Sequence, residues 1–234
     1  MRSFRRAAAF TAIGSGLVGL VCLWLGVVAS GYSDDLFYDP GVILDAPRTS
    51  SLAARWSMLA DLFGYYLLVL PLVFYVHGWL RSRTPSAPLL TFCGAAYVLL
   101  GVLGAAILSV IMPSLMDQYP LRGNTEQMTL RYLMRLINDL VYGGIWNLGS
   151  LLFGSAWWLG LGFHLQKKTK VLGQVTVLLG LLTALVVLTG MIGWQQLSEL
   201  ATNIYLVLAL IWAVWMGIAI LGEQVCPEGS RPVR

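Results

Sequence analysis

Val171 to Gly193 reads VLGQVTVLLGLLTALVVLTGMIG, 23 residues without a charge. A helix rises about 1.5 Å per residue, so this stretch reaches across the roughly 30 Å hydrocarbon layer of a bilayer. It is apolar on every face. A strand of a membrane barrel alternates polar and apolar positions over about ten residues, and nothing here does. Working outward, five more runs of this kind appear, at 7–29, 57–80, 88–112, 143–165 and 201–222. With 171–193 they take up more than half of the 234 residues.

Composition agrees. Hydrophobic residues are 58% of the chain, charged residues 11%, and mean hydropathy is +0.75. A soluble domain carries about 25% charged residues, and a disordered chain is poor in apolar ones. The expectation is therefore an all-α polytopic membrane protein: one domain over 1–234, a bundle of six transmembrane helices.

The first run follows Arg2, Arg5 and Arg6, and Val27-Val28-Ala29 has the look of a signal-peptidase site. The hydrophobic region of a signal peptide is only about 7–15 residues long, so 7–29 reads as a retained first span. Orientation comes from the cations. Both termini and the short connections Arg81–Ala87 and Gln166–Lys170 hold ten of the fifteen Lys and Arg, with only Glu223 and Glu228 beside them, and net +8. The other side nets −4, which together makes the chain's +4. Basic loops stay inside, so both termini are expected in the cytoplasm, in a plasma membrane of bacterial inner-membrane type, with lipid as the first partner. The positive charge then needs no nucleic acid to explain it. Trp56, Trp79 and Trp194 fall at the ends of runs, where amphipathic rings favour the headgroup level.

The connections on the acidic side are longer. Within 125–142, Leu130, Leu133, Met134, Ile137, Leu140 and Val141 recur at helical spacing, with Arg131, Arg135, Asn138 and Tyr142 on another face. This reads as an amphipathic helix lying on the outer surface, bent into the fourth span at Gly143-Gly144; the alternative is a single long helix. Pro71 should kink the second span. Ala8, Ala12 and Gly16, and likewise Gly101, Ala105 and Ser109, place small residues four apart, which lets helix backbones approach. Residues 94–105 match 173–184 at seven of twelve positions, which suggests duplicated hairpins.

Candidate chemistry is sparse. Asp61 lies one turn inside the second span, where charge is expensive and a partner is expected. With Tyr65, Arg131, Arg135, Asn138, Asp139 and Asn147 it is a candidate ligand-binding mouth open to the outer face; Arg135 and Asp139, four apart, can also pair with each other. The structural counterpart is a set of ion pairs clamping the surface helix to the bundle. His77 and His164, the only histidines, both precede basic loops. Two imidazoles at one depth have the form of axial haem ligands, a remote reading beside simple interfacial placement. Asp34, Asp35 and Asp39 lack EF-hand spacing. Cys22, Cys93 and Cys226 form no CxxC, so neither zinc nor redox chemistry is expected, and no cofactor is called for. Walker, HExxH and GxSxG motifs are absent from the sequence.

The segment Asp61-Leu-Phe-Gly-Tyr-Tyr-Leu-Leu-Val-Leu-Pro71, the start of span five at Val171-Leu-Gly-Gln-Val-Thr-Val-Leu-Leu-Gly180, the basic N-terminus and the long first outer loop resemble a bacterial family of six-helix membrane proteins known only as a domain of unknown function. That resemblance implies the six-helix fold and brings no activity or site residues; the two histidines are not part of its pattern. The expected function is a scaffold or accessory subunit of a membrane assembly, without catalysis. Other membrane subunits or a second copy are the partners to look for. Small-ligand binding or transport through the Asp61 mouth is the alternative.

Overall fold

The computed structural model describes residues 2–31, 43–44 and 49–225. Asp34, Asp35, Asp39, Asp45, Cys226 and Glu228 lie outside the described residues. The elements are all helical: α1 (Arg2–Ala29), α2 (Ser51–Asp61), α3 (Leu70–Leu80), α4 (Ala87–Gln118), α5 (Asn124–Asn138), α6 (Leu151–Leu165), α7 (Lys170–Ile192) and α8 (Gln195–Leu221). They group into six helical rods long and apolar enough to cross a membrane: Ser3–Ala29, Ser51–Leu80, Ala87–Leu121, Asn124–Leu165, Lys170–Ile192 and Gln195–Leu221. All six rods begin earlier than their apolar runs, four of them by at least one helical turn. The helical ladder satisfies its own backbone groups, so it continues through polar turns such as Gln195–Leu200 and Ser51–Trp56 until a cap or glycine stops it. Ser50 caps α2, its hydroxyl accepting from Ala53 N–H at 3.2 Å. Gly193, at φ +81°, ends α7, and Trp194 N–H closes back onto Thr189 O at 2.8 Å.

The second rod is broken where Pro71 predicts a kink, though the break lies upstream of the proline. After α2 the chain makes a π-helical turn, Leu62–Tyr66, then a 3₁₀ turn, Leu67–Val69. Pro71 has no N–H to give and its ring crowds the carbonyl four residues back. The preceding Leu70 N–H takes Leu67 O instead, and Tyr66 leaves helical geometry at φ −125°, ψ −72°.

The fourth rod follows the alternative reading, a single long helix. The chain stays helical from Asn124 to Leu165, and Gly143-Gly144 lie inside a π-helical stretch, Asp139–Ser150, rather than in a turn. The helix over 125–142 is thus continuous with the rod that follows it. Met128, Tyr132 and Leu136 form an exposed strip along α5, and Leu140, Leu148 and Leu152 carry it onward. The first rods of the two expected hairpins therefore both carry a π-helical stretch.

Small residues set the close approaches. α1 packs on α8 and α2, α6 on α7, and α7 on α8, while α4 touches α2, α3 and α6. Ala8, Ala9 and Ala12 are fully buried. A side chain at Gly217 would meet Ala9 O at 2.6 Å, and one at Gly64 would meet Gly19 N at the same distance. The ring of Tyr66 covers Gly101 and that of Trp146 covers Gly104. Around them sits an aromatic core: Trp157, Trp158 and Trp212 are buried, with both Trp157 and Trp158 meeting Trp212 edge to face at ring separations of 6.0 and 6.1 Å. At the ends of the rods, Trp79 is fully buried, whereas Trp56 and Trp194 are exposed.

Candidate functional site

The break in the second rod leaves carbonyls without their i+4 donors, and neighbouring rods supply replacements. Ser15 Oγ of α1 donates to Gly64 O. Tyr97 Oη of α4 donates to Tyr65 O at 3.3 Å and shares a hydrogen bond with Tyr205 Oη of α8 at 2.9 Å. Tyr65 Oη donates to Leu206 O at 3.3 Å. Across α4, Ser150 Oγ reaches Tyr97 O at 3.0 Å and Trp146 Nε1 reaches Gly101 O at 3.1 Å. A buried donor or acceptor left alone costs about 1–3 kcal/mol, so these bonds are what allow a broken helix to persist inside an apolar bundle. A cavity of about 10 Å³ lies against Ser15, Tyr65, Tyr97, Trp158 and Trp212, roughly the space of one water. Trp158 Nε1, buried there, has no acceptor among the described residues.

Asp61 sits at the start of the break. It is 8% exposed, and its Oδ2 has no hydrogen-bond partner among the described residues. Cys22, Tyr65, Tyr66 and Tyr142 lie within reach of its field, and none is a cation. Beside it, Ser57 Oγ donates to Cys22 O at 3.1 Å.

Three other residues of the expected outer mouth make contacts away from Asp61. Tyr65 turns to α8. Arg131 Nε donates to Tyr119 Oη at 2.8 Å, with its guanidinium 5.7 Å from that ring. Asn138 is buried and donates to Met134 O at 2.9 Å within its own helix. Arg135 and Asp139 are exposed, and Asn147 is half-buried in the π-helical stretch. Ion pairs among the described residues join Arg5 to Glu223 at 2.6 Å and Arg122 to Glu126 at 3.9 Å; neither Asp61 nor Asp139 is in one.

The histidines serve local bonds. His77 Nδ1 lies 2.7 Å from Thr91 Oγ1, and His164 Nδ1 lies 2.8 Å from Gly160 O. No group of three or more His, Cys, Asp and Glu capable of holding a metal ion occurs among the described residues. Ser15, Tyr97, Ser150 and Tyr205 are central to the break yet escape a reading by motif. Their one signal is a polar atom inside an apolar run. Comparison with family models, with curated proteins and with solved structures gives no match.

Proposed function

We propose that the chain is a multi-pass integral membrane protein with both termini and the basic loops in the cytoplasm, acting as a scaffold or accessory subunit of a membrane assembly rather than as a conduit. The observation that carries this reading is the closed interior. Backbone meets backbone at Gly19 and Gly64, rings cover Gly101 and Gly104, and the cavity at the centre holds about 10 Å³. The outer faces support placement in lipid: Phe10, Leu17, Trp24, Phe92, Leu99 and Val110 are each more than half exposed, a surface that water would not tolerate in a single folded domain. The rod of 42 residues from Asn124 is longer than a bilayer requires. α5 therefore extends to the outer interface, its polar face in water and its strip of Met128, Tyr132 and Leu136 towards lipid. Blue-native electrophoresis and affinity purification from the native host in mild detergent test the assignment. A stoichiometric companion subunit is expected. A lone species near 25.6 kDa, at native expression, overturns it.

Asp61 favours a second reading, binding of a small ligand or cation from the outer face. An intramembrane carboxyl whose Oδ2 finds no donor among the described residues marks a functional site by default. If it binds, a screen of monovalent and divalent cations and small polar solutes raises the thermal stability of the wild-type protein and not that of Asp61→Asn. Equal responses from both proteins remove Asp61 from any such site.

A further inference from the structure

Between the two basic loops lies an open pocket of about 300 Å³, lined by Trp79, Arg83, His164, Lys167 and Lys168. Three of these are cations, one is an imidazole, and none is acidic. They come from the ends of α3 and α6, so the charge is gathered by the fold rather than by one stretch of sequence. A cluster of cations at the mouth of an open pocket attracts an anion.

The walls are built for an oxyanion. The Arg83 guanidinium lies over the Trp79 ring at 4.6 Å, and its Nη1 donates to Trp79 O, which fixes the planar fork. Trp79 is fully buried, so its ring backs the guanidinium and leaves the ligand to the cations around it. His164 faces Gly160 O through Nδ1, a carbonyl that only an N–H can satisfy, which leaves Nε2 as the ring atom for other contacts. Lys167 and Lys168 are exposed, so their ammonium groups can swing to a bound group.

We propose that this pocket binds a phosphate group, and that its source is the headgroup of an anionic phospholipid in the cytoplasmic leaflet. Arginine matches phosphate oxygens two at a time, and lysine adds point charge. Basic pockets between transmembrane helices on the cytoplasmic side take anionic headgroups. A volume of about 300 Å³ stands at the lower end of ligand pockets, enough for a phosphate and the start of its glycerol. The lipid source rests on the membrane orientation proposed above; binding of phosphate itself does not.

The test uses the full chain in neutral detergent, read by thermal unfolding and native mass spectrometry. It is titrated separately with short-chain phosphatidylglycerol, with phosphatidylcholine of the same chains, and with inorganic phosphate. Phosphatidylglycerol is expected to bind in preference to phosphatidylcholine. The Lys167→Gln/Lys168→Gln variant, altered only at exposed positions, should bind it about thirtyfold more weakly. An Arg81→Gln/Lys170→Gln variant, which removes as much charge from the same end outside the pocket, should keep most of the affinity. Equal loss in both variants overturns the pocket in favour of diffuse surface charge. Inorganic phosphate that reproduces the full shift overturns the lipid source. No shift with either anion overturns the proposal altogether and leaves the six-span reading standing, because protection of terminal tags in intact cells checks that independently.

Discussion

Gly64→Ala tests the closest contact in the bundle. A methyl group at Gly64 would stand 2.6 Å from Gly19 N, 2.9 Å from Gly19 Cα and 3.0 Å from Val18 C, all backbone atoms of α1. None can rotate aside, so relief to an ordinary contact of 3.4 Å requires α1 to withdraw by about 0.8 Å. Overpacking of this kind costs about 1–3 kcal/mol. The withdrawal also stretches the bond from Ser15 to Gly64 O, worth about 0.6 kcal/mol for an average interhelical bond in a membrane. The better helix propensity of alanine offsets up to about 1 kcal/mol. The expected net loss is about 1–3 kcal/mol. Gly144→Ala is the control: nothing lies within 4 Å of its new methyl, so it gains up to about 1 kcal/mol. Unfolding by sodium dodecyl sulfate in mixed micelles, followed through the nine tryptophans, measures both. If the two variants differ by less than about 0.5 kcal/mol, α1 and the broken rod do not meet backbone to backbone, and the account of the closed interior fails.

Asp61→Leu should stabilise the protein by about 1–3 kcal/mol in the same assay, because it removes a buried acceptor that has no donor; a loss of stability would mean that the carboxyl holds a structural partner. Tyr205→Phe should cost about 1 kcal/mol and Tyr97→Phe more, because the Tyr97 hydroxyl also serves Tyr65 O; the double variant should cost little more than Tyr97→Phe alone, and additive losses would deny the shared bond. Tags at either end should resist external protease in intact cells, and digestion of both would reverse the proposed orientation.

The six rods are legible because lipid-length apolar helices need no tertiary information: residues 171–193 specify a helix by composition and end it with Gly193. Asp61 stands out for the same reason, as charge in an apolar run. What surrounds Asp61 is not legible. Arg131 has its own contact with Tyr119, and i,i+4 spacing cannot reveal that. The π-helical stretch over Asp139–Ser150 has no signature in propensity; it accompanies the seating of Trp146 over Gly104 and the reach of Ser150 to Tyr97 O, both contacts with a distant helix. Trp79 looks interfacial by position along the chain, but the neighbouring rods close over it. The pocket beside it depends on bringing Arg83 to Lys167, which only the packed hairpins achieve.

Arg5 holds Glu223, and Tyr75 Oη of α3 donates to Val225 O at 2.7 Å, so the turn after α8 is fastened to α1 and α3. The same pairing runs up the helices, since the alanines of α1 are sealed by α8. Four rods lie between these two in the sequence, so their seam is closed by contacts of long sequence separation. Loop closure makes such contacts late ones, and the alanine face of α1 stays uncovered in the folding chain until α8 docks.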